Sequence, residues 1–113
     1  MAIPTILAGE LLRLESLIAP TDQGIASRVL AKAAGGSITL FAFDTGQGLS
    51  EHTSPFEALV LVLEGTMTLT VGGKSVTAVP GTIVRMPAHV PHALAALQAA
   101  RMLLVMLRDS PAA

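Results

Sequence analysis

The 113-residue chain contains no cysteine, no tryptophan and no tyrosine. Without cysteine there is no disulfide, no thiol nucleophile and no thiolate zinc site. That fits a reducing compartment. Aromatic residues are reduced to Phe41, Phe43 and Phe56, which removes the usual stacking platform for single-stranded nucleic acid. Charge is equally scarce: Asp, Glu, Lys and Arg make up 13% of the chain, against the ~25% usual in soluble domains. Seven basic and eight acidic residues give a net charge of −1 with no basic run. Clustered phosphate neutralisation is therefore absent, and nucleic acid is excluded as a partner. Long hydrophobic runs are missing too. The longest, Ala58–Leu63 and Met102–Leu107, have six residues each, far short of the ~20 that cross a membrane as a helix. Residues Met1–Ile18 lack a basic leader and carry Glu10, Arg13 and Glu15 inside their apolar stretch, so they do not read as a signal peptide. The expectation is one soluble cytoplasmic domain with no membrane partner.

What the chain has in excess is apolar residues, 51% of the total. That is more than a small monomer easily hides, and it predicts a homodimer. Leu11, Leu14 and Ile18, with Leu12 and Leu17 nearby, have helical spacing, so a short helix is expected within an N-terminal arm spanning 1–24. Pro20 and the polar residues after it end that helix. From Ile25 the pattern changes to short apolar, β-branched stretches cut by turns. In Ser37–Phe43, Ile38, Leu40 and Ala42 share one face and Phe41 and Phe43 the other. Ala58–Glu64 is apolar on both faces, as in a strand buried between two layers. Met67, Leu69 and Val71 alternate strictly with Thr66, Thr68 and Thr70, and Gly72-Gly73 then reads as a two-residue hairpin turn. This punctuation predicts an all-β sandwich or barrel over 25–109, followed by a tail over 110–113.

The three histidines, His52, His89 and His92, stand at turn–strand boundaries in two spaced motifs. The first is Gly46-x5-His52-x-Ser54-x3-Ala58-x6-Gly65; the second is Gly81-x5-Pro87-x-His89-x2-His92-x3-Ala96. Together they resemble the signature of the cupins, small jelly-roll barrels also described as a double-stranded β-helix. The resemblance spans Val29–Arg108, and the fifteen residues Thr66–Pro80 match the short inter-motif spacing of single-domain bacterial cupins. It implies the fold. It implies activity only weakly, because one fold hosts many functions.

The departures from the family pattern bear on chemistry. Metal-holding cupins typically use three His and one Glu. This chain keeps His52 and His92, but Ser54 replaces a histidine and Ala58 replaces the glutamate. His89, where glycine is expected, and Glu57, one residue before the expected acid, are nearby extras. Two readings stand side by side. In one, a divalent transition metal (Zn, Ni, Fe or Mn) sits on His52 and His92, with water, His89 or Glu57 completing the shell. In the other, the cavity is metal-free and serves as a small-molecule binding or sensor module. Both expect a small organic ligand in a pocket lined by Ser54, Ala58, Met86 and Phe43. The family resemblance also implies a homodimer with exchanged N-terminal segments, its interface including Ile25–Leu30. No catalytic residue follows from the sequence.

Overall fold

The computed structural model describes residues 6–108; the expected tail lies outside the described residues. Nine strands follow one short turn of helix: β1 (Ile25–Ala33), β2 (Gly36–Phe43), β3 (Gly48–His52), β4 (Glu57–Glu64), β5 (Met67–Val71), β6 (Lys74–Ala78), β7 (Ile83–Met86), β8 (His92–Ala96) and β9 (Ala100–Leu107). They form two antiparallel sheets, one ordered β1-β2-β9-β4-β7 and the other β3-β8-β5-β6. This is the all-β barrel expected from the spacing of strands and turns, in the jelly-roll form that the family resemblance implies. No helix among the described residues is long and apolar enough to cross a membrane.

Period-two patterning decides which side chains enter the core. Met67 and Leu69 of β5, Leu94 and Ala96 of β8, and Ala58, Val60 and Val62 of β4 are all buried and pack in one cluster between the sheets. Thr66, Thr68 and Thr70 alternate with them, away from that cluster. Gly72 and Gly73 take φ of 58° and 83°, the paired left-handed conformations that a two-residue hairpin demands. Gly65 sits at φ 73°, and a Cβ there would lie 2.3 Å from the Ala99 carbonyl oxygen, so this motif position admits only glycine.

Two expectations are corrected. The N-terminal segment is not a helix: only Leu14–Ser16 form a single 3-10 turn. Gly9 takes a left-handed φ of 76°, Arg13 is extended and offers no side-chain cap, and Leu11 is 99% exposed. A segment this short is marginal as an isolated helix, and Leu14, Leu17 and Ile18 are half-buried here without continuing the turn into a helix. Instead the arm is tied to the five-stranded sheet through its own carbonyls. Arg28 donates to the Leu17 carbonyl at 3.3 Å and Arg101 to the Ile18 carbonyl at 3.0 Å. The second correction concerns β4. Its outward residues Leu59, Leu61 and Leu63 are half-buried rather than covered by another sheet. The arm supplies part of the cover: Leu14 and Glu15 line a surface hollow together with Leu63, Glu64 and Arg101.

Candidate functional site

His52 ends β3 and His92 begins β8, and the two are register partners across that pair of strands. Their side chains meet edge to face, with ring centroids 4.3 Å apart and Nε2 atoms 3.1 Å apart. His92 is buried and His52 is exposed, so the pair stands where the barrel interior reaches solvent. Beside it is a cavity of ≈ 260 Å³. Leu49, Leu94 and Leu104 give it apolar walls; Ser54, Ala58 and three methionines complete the lining with the two histidines.

Hydrogen bonding fixes how the two rings face each other. His52 Nδ1 lies 2.7 Å from the Ser50 carbonyl oxygen, and His92 Nδ1 lies 3.1 Å from that of Val90. A carbonyl oxygen only accepts, so each Nδ1 carries the hydrogen and donates it. When both rings are neutral, both Nε2 atoms present bare lone pairs to each other. Two acceptors at 3.1 Å repel unless a cation lies between them, either a shared proton or a metal ion. Donation of Nδ1–H to a backbone carbonyl is also the usual way a metal-ligating imidazole is oriented.

The other sequence candidates fall into two groups. Ser54, Ala58 and Met86 line the cavity with the histidines. Ser54 also braces the rim: its hydroxyl accepts from the Phe56 N–H at 3.1 Å, and its carbonyl accepts from the His89 N–H at 2.8 Å. Glu57, His89 and Phe43 do not line the cavity. Ala58 points inward, so strand parity turns Glu57 outward. There its carboxylate pairs with Arg85, whose hydrogen bond holds the Glu57 pKa below the ordinary carboxylate value. His89 has a left-handed φ of 64°, which accounts for the glycine expected at this position. Phe43 is wholly buried and pairs with Ala100. Ala100 lies two residues along β9 from the cavity residue Met102, which is itself the partner of Phe41. Phe43 therefore packs in the core behind the cavity wall rather than lining the cavity.

Among the described residues no group of three His, Cys, Asp or Glu comes together as a metal cluster. The donor set is thus not the three histidines and one glutamate of the family pattern. Sequence reasoning did not place Leu49, Leu94, Met102, Leu104 and Met106 in the lining. Met102, Leu104 and Met106 alternate along β9, and that period-two pattern was the available signal.

A family model described as a cupin domain matches residues 39–107. The chain belongs to the cupin family. This cupin is also similar over nearly its whole length to two solved structures. One is a conserved protein of unknown function from Streptococcus pyogenes, with 32% identity, 98% of this chain and 97% of that chain covered, and a TM-score of 0.88. The other is a cupin superfamily protein from Desulfitobacterium hafniense, with 29% identity, coverage of 96% and 100%, and a TM-score of 0.86. An RmlC-like cupin from Shewanella frigidimarina, at 17% identity, a TM-score of 0.76 and coverage of 89% and 93%, shares the fold. No curated protein matches the sequence.

Proposed function

We propose that this cupin is a small binding module in which His52 and His92 hold one metal ion at the mouth of an apolar cavity, and the cavity takes a small organic molecule. The observation that carries this reading is the pair of Nε2 atoms 3.1 Å apart, each ring having its Nδ1 committed to a backbone carbonyl. The ion would supply a coordination anchor for the polar end of the ligand. The leucines and methionines would receive its apolar body, and Ser54 is the one hydroxyl in the lining. The metal-free alternative keeps a proton between the rings and the organic ligand alone.

Chelator-stripped protein titrated with single metal salts separates the two. One ion per chain is expected. At an ion concentration of 100 Kd the stabilisation is about 2.7 kcal/mol, on the order of 10 °C in Tm for a domain of this size. The His52→Ala, His92→Ala double variant loses that shift. Wild-type protein that no metal stabilises, but that a small organic molecule does, overturns the metal reading in favour of the metal-free one.

We further propose a homodimer, the partner being a second copy set against β1. This nine-residue strand is an edge of its sheet, and long edges invite pairing. Ile6 donates to the Leu30 carbonyl, which brings the arm alongside that edge, and Leu7 (64%) and Val29 (46%) are exposed there. Light scattering at micromolar concentration should give twice the chain mass, and a monomer contradicts the proposal.

A further inference from the structure

The cavity that holds the two histidines is unusual in its sulfur. Met86, Met102 and Met106 line it, three of the five methionines in the chain. Strand register explains how they converge. Ala58 of β4 is the direct partner of Met86 on β7 and of Met106 on β9. Directly opposed residues share a face, with Cβ atoms ~4.5–5.5 Å apart. The position where the family pattern puts a carboxylate is therefore a small gap with a thioether on either side. Met102 lies four residues before Met106 on the same face of β9.

No carboxylate or thiolate lines this space: its side-chain donors are two imidazoles, thioethers and the Ser54 hydroxyl. Glu57 is turned away to Arg85, and His89 is not in the lining. A divalent ion here would bring two charges into an apolar cavity with no anionic ligand against them. The solvation cost of an ion in a low-dielectric site is large and rises with the square of its charge. A monovalent ion meets a much smaller penalty. Thioether sulfur is a soft donor that binds hard divalent ions poorly and copper(I) well, while imidazole accepts copper readily. Charge and softness point the same way.

We propose that the centre is built for copper(I), held by Nε2 of His52 and of His92 together with thioether sulfur from Met86 and Met106. This rests on the reading that the histidine pair holds a metal ion, and it names the ion. Ala58 then has a purpose: it keeps the space between the two thioethers open and uncharged.

The test uses the full chain under anaerobic conditions, with copper(I) kept reduced by ascorbate and partitioned against the coloured chelator bicinchoninate. Zinc(II) and nickel(II) binding are measured in parallel. Wild-type protein is expected to take one copper(I) per chain, and copper K-edge absorption should show sulfur beside nitrogen. Met86→Leu with Met106→Leu conserves volume, so the fold persists, which a thermal melt verifies. This double variant should bind copper(I) at least tenfold more weakly with its zinc and nickel affinities unchanged. His52→Ala with His92→Ala should lose all three metals. Zinc or nickel binding that needs the histidines, with copper(I) no tighter or indifferent to the methionines, overturns the copper assignment and leaves the metal reading standing. Failure of the wild type to bind any of the three metals overturns both.

Discussion

Phe43→Ala should be among the most destabilising single substitutions in the chain, costing about 3–5 kcal/mol. The phenyl ring is wholly buried in the core and stacks on Phe41 with centroids 5.9 Å apart. Its surroundings are fixed by strand backbone, so the void cannot collapse easily, and the cavity term adds to the lost transfer energy. A domain of this size has about 5–15 kcal/mol in total. With a urea m value of ~1–3 kcal/mol/M, the denaturation midpoint should fall by on the order of 2 M. Met106→Leu, in the half-buried cavity wall, should cost less than about 1.5 kcal/mol. Urea titration of both variants measures the contrast. Equal losses at the two positions would contradict the contrast between the wholly buried Phe43 and the half-buried Met106.

That contrast bears on what the sequence could disclose. Strict alternation in Thr66–Val71 and the Gly72-Gly73 pair made the β5–β6 hairpin readable, because one face is buried and the turn conformation requires glycine. The motif spacing brought His52 and His92 to attention, and the register places them opposite each other. Other features were beyond local pattern. Pro55 interrupts the parity count between His52 and Glu57, so only the inward placement of Ala58 settles that Glu57 faces out. β3 carries a single half-buried apolar residue, Leu49, among exposed Ser50, Glu51 and His52, and so gives no periodic signal. The arm misleads because Leu11, Leu14 and Ile18 have helical spacing, whereas its Leu17 and Ile18 carbonyls are held by Arg28 and Arg101, far along the chain. Phe43 does face inward, but sequence does not tell which inward side chains border the cavity and which lie behind its wall.

Restoring the family's donors should change the centre more than any deletion. In the Ser54→His, Ala58→Glu double variant, both new side chains start from positions that already line the cavity with His52 and His92. A carboxylate and a third imidazole favour divalent ions. If each added donor contributes about 1.4 kcal/mol or more, affinity for manganese(II), iron(II) or nickel(II) should rise by ~100-fold or more. The metal-free variant should be less stable than wild type, because the carboxylate introduced at position 58 would be buried between Met86 and Met106 with no cation beside it. Burial raises a carboxyl pKa. The folded state then holds a proton that the unfolded state releases, so this penalty is absent below the unfolded pKa and grows as pH rises toward the raised folded value. A saturating divalent ion should remove the penalty and reverse its pH dependence. Thermal melts with and without manganese(II) across that pH range read both effects. A destabilised variant that no divalent ion rescues would show that position 58 does not converge on the histidine pair. Rescue would show the reverse: the backbone still presents a divalent centre, and the neutral, sulfur-flanked lining set by Ala58 and Ser54 is what directs this cupin away from it.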